Sequence, residues 1–166
     1  SYTEGDKFAY VLPYHGLRVG VTIDFAHPLI GKQTLDLEMT EQSFVREIAS
    51  ARTFGFLKDV ENLKSAGLAK GGSLDNCIVL DDTKVVNPEG LRFENEFVRH
   101  KVLDALGDLV TLEMPLMGHV VLYKAGHDLM NKLVQLIKDS NTKYKHVELG
   151  VDLSEEIKRF SSWALQ

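Results

Sequence analysis

Phe93-Glu94-Asn95-Glu96-Phe97-Val98-Arg99-His100-Lys101-Val102-Leu103-Asp104-Ala105-Leu106-Gly107-Asp108-Leu109 is the stretch on which the reading of this chain turns. Val98, Val102, Leu103, Ala105, Leu106 and Leu109 recur at helical spacing and predict one buried face. At about 100° per residue, His100 and Asp104 stand about 40° apart, with Asp108 about 40° further on. That arc is expected to face away from the core. Phe93 and Phe97 fall on it too, which suits the floor of a cleft or aromatics packed beneath a loop better than a plain solvated face.

A His and an Asp at i and i+4 meet on adjacent turns, and imidazole with carboxylate is a sound pair of zinc ligands. The same spacing serves a solvated surface pair equally well. Periodicity does not choose between them.

Around this helix the chain has ordinary globular character. Its 166 residues suit one domain with a sizeable core, and the content is 44% hydrophobic and 26% charged. A net charge of −5 excludes a general nucleic-acid binder, which needs a basic surface. Cys77 is the one cysteine, so no internal disulfide can form, in keeping with a reducing compartment. No run of residues is long and apolar enough to predict a membrane span, and Ser1-Tyr2-Thr3-Glu4 reads as either a mature terminus or a cut.

Upstream, strands are expected over Lys7 to Leu12, Leu17 to Phe25 and Gln33 to Met39, the second with Leu17, Val19, Val21, Ile23 and Phe25 on one side. Thr40 is a candidate N-cap for a helix that buries Phe44, Val45 and Ile48. A second helical stretch over Leu57 to Ala66 stops at Gly67, before a glycine-rich loop that lacks the phosphate-loop pattern. Asn76 to Leu80 predicts a short strand, turning at Asp81-Asp82 into a hairpin with Lys84 to Val86.

Downstream, Met117 to Tyr123 predicts a strand and Asp128 to Lys138 a helix with Leu129, Leu133, Leu136 and Ile137 inward. His127 then sits where a strand meets a helix N-terminus, a place for catalytic and capping residues alike. His27, before Pro28 at a strand end, reads as structural. Beyond Ser140, a strand over Lys143 to Leu149 and a short helix from Ser154 are expected. The whole predicts an α+β two-layer sandwich: a mostly antiparallel sheet covered on one face by helices.

Five segments occur in order: Ala51-Arg52-Thr53-Phe54-Gly55-Phe56, Lys70-Gly71-Gly72-Ser73-Leu74-Asp75-Asn76, Gly90-Leu91-Arg92-Phe93, Glu96 through Asp104, and Gly126-His127. Together they closely resemble the C-terminal half of the zinc-dependent UDP-3-O-acyl-N-acetylglucosamine deacetylases. The resemblance implies a cytoplasmic enzyme of Gram-negative lipid A biosynthesis that removes an N-acetyl group and releases acetate.

Carried over by position, it makes His100 and Asp104 zinc ligands and His127 the general acid, its protonated form steadied by Asp108. Thr53 would help hold the oxyanion, and Lys101 would lie near the nucleotide phosphates. Phe54, Phe56, Leu63, Ala69 and Gly72 would belong to a small βαβ insert, over about residues 54–80, that forms an apolar passage for the acyl chain. Residues 1–139 would form the second domain of a two-domain enzyme and residues 140–166 a tail.

One departure stands out. Catalytic zinc takes three protein ligands and keeps an open position for water. In the family the third ligand, a histidine, neighbours the glutamate general base in the N-terminal half, and no Glu-His or His-Glu pair occurs in this chain. His15, His27, His119 and His146 are the remaining histidines, none within the matching motif. Two expectations follow. The chain is half of a deacetylase, completed by an N-terminal half carrying the Glu-His motif; or it is a non-catalytic domain with partial zinc and UDP-sugar binding.

Overall fold

A computed structural model describes residues 1–59, 71 and 73–140. A five-stranded sheet runs in the order β1 (Tyr2–Glu4), β2 (Lys7–Leu12), β7 (Gly118–Tyr123), β3 (Leu17–Phe25), β4 (Gly31–Glu38). All neighbours are antiparallel except β3 and β7, which pair in parallel from Leu17↔Gly118 to Thr22↔Tyr123. The late strand β7 thus inserts between two early ones. Gly118 admits it: a Cβ there would come within 2.7 Å of Val11 Cγ1 and 3.2 Å of the Leu12 carbonyl.

Alternation decides which sheet face is covered. Val19, Val21 and Ile23 of β3 are buried with Ala9, Val120 and Leu122, as the period-two pattern requires. Two helices lie over them, α2 (Glu96–Val110) and α3 (His127–Lys138), giving the expected α+β arrangement. The face of α3 is centred one residue earlier than the leucine spacing suggested. Leu129, Met130, Leu133 and Val134 are buried, whereas Leu136 and Ile137 are only partly covered.

Thr40 does cap the first helix, α1 (Glu41–Ser43). Its hydroxyl accepts from the Ser43 N–H at 3.0 Å, and the Ser43 hydroxyl accepts from the Thr40 N–H at 2.8 Å, a reciprocal capping box. The chain then widens into a π-helical turn (Phe44–Ile48), closed by the Ala49 N–H on the Phe44 carbonyl. Ile48 is buried, yet Val45 is 64% exposed, against expectation. The wider turn breaks the 3.6-residue period on which that expectation rested.

A smaller sheet pairs β5 (Thr53–Phe56) with β6 (Cys77–Leu80) in parallel, from Thr53↔Cys77 to Phe56↔Leu80. Parallel pairing needs a crossover, in keeping with a βαβ insert. Most of that crossover (residues 60–70 and 72), including the helix end at Gly67, lies outside the described residues, as do the tail strand and helix beyond residue 140. The hairpin after β6 is narrower than expected. It consists of the bridge Leu80↔Val85 and a turn in which the Asp81 carboxylate accepts from the Thr83 and Lys84 N–H groups.

Candidate active site

α2 meets the sheet with Val98, Val102, Ala105 and Leu109, all buried, while Leu103 and Leu106 are half-covered. The opposite arc does not face open water. Phe97, in its middle, is fully buried and packs edge-to-face on Phe54 at 5.1 Å, so β5 covers that arc as the sheet covers the other. Phe54 packs in turn on Phe25 at 5.5 Å. Phe97 is therefore packed beneath Phe54, under the cleft between α2 and the insert, and does not line it. Phe93 lies elsewhere, with the Arg99 guanidinium 4.2 Å from its ring centroid.

A cavity of about 320 Å³ opens there, lined by Phe25, Thr53, Phe54, Gly55, Phe56, Asp59, His100 and Lys101. Five of these residues had been read as site residues from the sequence. Phe25, Gly55 and Asp59 are the other three: Phe25 reads from sequence only as the end of an alternating strand, Gly55 only as part of a matching segment, and nothing in the pattern singles out Asp59. A smaller recess beside it is lined by Lys101, Asp104, Asp108 and His127 over Val21, Leu122 and Met130. Lys101 borders both. Leu63, Ala69 and Gly72 lie outside the described residues.

The protons in this site follow from its partners. His100 Nδ1 is 3.3 Å from the Ala51 carbonyl, which can only accept, so Nδ1 carries the proton. A neutral ring then turns the Nε2 lone pair toward Asp104 Oδ1, 3.2 Å away. Two acceptors at that separation require a cation between them, either a second ring proton or a metal ion. Tetrahedral zinc with bonds of about 2.0–2.1 Å sets its donors about 3.3 Å apart, which the pair matches. Lys101 Nζ donates to the other oxygen, Asp104 Oδ2, at 2.8 Å. Each donor thus has an outer partner that fixes its orientation, as metal ligands require. The residues fit zinc in type and spacing, as two of the donors it needs.

Among the described residues no third His, Cys, Asp or Glu gathers with them. His15 is exposed in the turn before β3. His27 has both ring nitrogens engaged, Nε2 donating to the Asp81 carbonyl at 3.0 Å and Nδ1 accepting from the Leu29 N–H, in keeping with its structural reading. His119 projects from the outer face of the sheet, with Nε2 3.3 Å from Asp36 Oδ1. His146 lies outside the described residues.

His127 opens α3, as its place after a strand suggested. Its Nδ1 stands 2.9 and 3.0 Å from the two oxygens of Asp108, which is half-buried on α2. A carboxylate accepts, so Nδ1 donates and Nε2 is left facing outward on an exposed ring. The turn that delivers the histidine is held firmly. Lys124 sits at φ +52°, its N–H donates to the Thr22 carbonyl at 2.8 Å, and its ammonium pairs with Asp6 and Asp24.

One strong feature was missed from the sequence. Arg52 and Glu96 are both buried and bonded to each other: Arg52 Nε and N–H to Glu96 Oε1, each at 3.0 Å, and Nη2 to Oε2 at 3.2 Å. The Arg92 N–H adds a bond of 2.6 Å to Oε2, while Arg52 also reaches Glu89 and the Gly90 carbonyl. Burial alone would raise the Glu96 carboxyl. The hydrogen bonds from Arg52 and the Arg92 N–H outweigh it and hold the group below its ordinary value of 4.5.

A folded-state value below the unfolded one contributes stability above pH 4.5, lost as pH falls through the lower folded value. Glu96→Ala leaves the buried Arg52 cation with half-exposed Glu89 as its one remaining ion partner and should destabilise the chain by about 3 kcal/mol at pH 7. The difference in urea midpoint between wild type and variant should narrow on acidification. A difference that stays constant down to pH 3 would contradict this assignment.

A family model described as UDP-3-O-acyl N-acetylglycosamine deacetylase matches residues 1–139. The chain is 73% identical over 164 residues to the UDP-3-O-acyl-N-acetylglucosamine deacetylase of Bdellovibrio bacteriovorus, covering 99% of this chain and 54% of that one. It is 50% identical to the protein of that name from Myxococcus xanthus (89% of this chain, 47% of that one) and 49% identical to that from Campylobacter fetus (92% and 52%). The chain spans about half the length of these curated relatives. These matches, together with the helix carrying His100 and Asp104 and the facing His127, place the chain in the UDP-3-O-acyl N-acetylglycosamine deacetylase family.

Proposed function

We propose that this chain forms the second half of a zinc-dependent deacetylase that hydrolyses the N-acetyl group of UDP-3-O-acyl-N-acetylglucosamine in lipid A biosynthesis. The observation that carries the reading is the His100–Asp104 pair, two acceptors 3.2 Å apart with outer partners already in place. Zinc bound there would polarise water and the acetamide carbonyl. His100 offers Nε2 and Asp104 offers Oδ1; Ala51 and Lys101 hold them in that attitude.

His127 supplies the proton. With Nδ1 bonded to Asp108, Nε2 of the protonated ring is free to donate to the leaving amine nitrogen as the C–N bond breaks. Asp108 orients the ring and balances its charge. Thr53, exposed at the mouth of the cavity beside His100, offers a hydroxyl to the developing oxyanion. Lys101 carries the positive charge nearest both recesses and suits the nucleotide phosphates, exchanging Asp104 for them when substrate enters. Phe25, Phe54 and Phe56 give the cavity an apolar wall for the start of the acyl chain.

The third ligand and the general base are assigned to an N-terminal half, and residues 1–139 to the second domain of the whole, with the reaction in the cytoplasm. A half needs a surface to meet its complement. Val110, Met114 and Met117 are 76%, 49% and 41% exposed at and beyond the end of α2, in line with half-covered Leu103 and Leu106. Among the described residues no helix is long and apolar enough to cross a membrane.

The test is acetate release from UDP-3-O-acyl-N-acetylglucosamine with zinc supplied. The purified chain should be inactive, and adding the N-terminal half of a relative should restore turnover. Turnover by the chain alone would show that these residues contain a third ligand and a base.

A further inference from the structure

We propose that the buried Arg52–Glu96 pair is a positioning device for the His100 imidazole and the Thr53 hydroxyl. Arg52 follows Ala51, whose carbonyl accepts from His100 Nδ1, and precedes Thr53, which opens β5 beside the cavity. Glu96 lies one helical turn before His100 on α2. Joining residues 52 and 96 therefore joins the carbonyl to the ring it orients, across 44 positions of sequence.

The joint is unusually complete. Both Glu96 oxygens are used twice, by the Arg52 backbone and Nε on one and by Arg52 Nη2 and the Arg92 N–H on the other. Arg52 fastens Nη1, the remaining arm of its fork, to Glu89, and Nη2 also donates to the Gly90 carbonyl, in a turn where Gly90 takes φ +70°. The side chains of Arg52 and Glu96 are 2% and 0% exposed, so water does not compete for these bonds. A fixed planar fork holds direction as well as distance, which a lysine in the same place cannot do.

The consequence for His100 is its tautomer. With the Ala51 carbonyl held under Nδ1, the proton stays on Nδ1 and the lone pair stays on Nε2, toward Asp104. Were the carbonyl to drift, the ring could turn or move its proton, and Nε2 would cease to be a ligand. The inference rests on the reading of His100 as a metal ligand, but its first readout does not need the metal.

The test uses the complete enzyme, with Arg52→Lys as the main variant. In metal-free protein at alkaline pH, where an imidazole carries a single proton, nitrogen NMR of His100 should show the Nδ1–H tautomer in wild type and a mixture of tautomers in Arg52→Lys. With zinc, the folded variant should bind about 10–100-fold more weakly, as on loss of an outer partner. Turnover should fall while KM changes little. Glu89→Ala, which removes only the half-exposed arm of the joint and folds more readily, should move both readouts the same way by less.

Unchanged His100 tautomer and zinc affinity in both variants, with only a lower melting temperature, would overturn the proposal and leave the pair a stabilising one. Failure of zinc to perturb His100 in wild type would instead refute the ligand reading. In that case the metal-free tautomer still decides for or against the positioning role.

Discussion

Replacing His127 by alanine in the complete enzyme is expected to lower turnover by about 10²–10⁴-fold, the usual contribution of general acid–base catalysis. Zinc content should not change. The reason is geometric: Nδ1 of His127 is committed to Asp108 at 2.9 Å, and the pair proposed to hold the metal is His100 with Asp104, earlier on α2. Asp108→Asn should fall in the same direction, because an amide can present its NH2 to the ring and favour the wrong tautomer. Equal loss of zinc and turnover in His127→Ala would make the histidine a ligand and overturn the assignment. Steady-state kinetics with metal analysis on the same preparation decides it.

Asp104→Ala should do the reverse and release zinc. Its carboxylate is one of the two donors proposed in this half, and its loss leaves His100 as the half's one donor, with Lys101 nearby as an unneutralised cation. The loss of turnover should then follow the loss of metal and be recovered in part at high zinc concentration. Full metal retention after dialysis would contradict the ligand role. Lys101→Ala is the intermediate case: it removes the outer partner of Asp104 Oδ2 without removing a donor, so zinc should bind about 10–100-fold more weakly but not be lost, while substrate affinity falls.

Much of this site could be read in the sequence because its parts are local. His100 and Asp104 are four residues apart on one helix, so helical geometry alone brings them together. Val19, Val21 and Ile23 declare a buried sheet face by alternation, and Thr40 declares its cap by residue type. What stayed hidden is what joins distant positions. Nothing in the local pattern of Ala51-Arg52-Thr53 pairs Arg52 with Glu96, and nothing in β7 sends it between β2 and β3 rather than to an edge. The polar arc of α2 was placed on the outside for the same reason. A second packing surface, β5 with Phe54, covers it, and helical periodicity reports only the stronger of two buried faces.

The Asp108–His127 contact shows the boundary well. Each residue stood out by itself, one on the helical arc and one at a strand–helix junction. Their 2.9 Å approach depends on α3 docking beside α2 and on the Lys124 turn that aims it. The resemblance to the deacetylase family supplied that pairing in advance; periodicity could not. Phe25 shows the opposite case: alternation gives its strand but not its place in the cavity wall, because the wall is closed by an insert 29 residues on in the chain (Phe54, 5.5 Å away).

A chain that supplies two of the three proposed zinc ligands should reveal it in a zinc titration. Calorimetry on the purified chain should give weak binding that His100→Ala abolishes, and the N-terminal half of a relative should tighten it sharply by adding the third ligand. Tight binding by the chain alone, or binding indifferent to His100, would contradict the account.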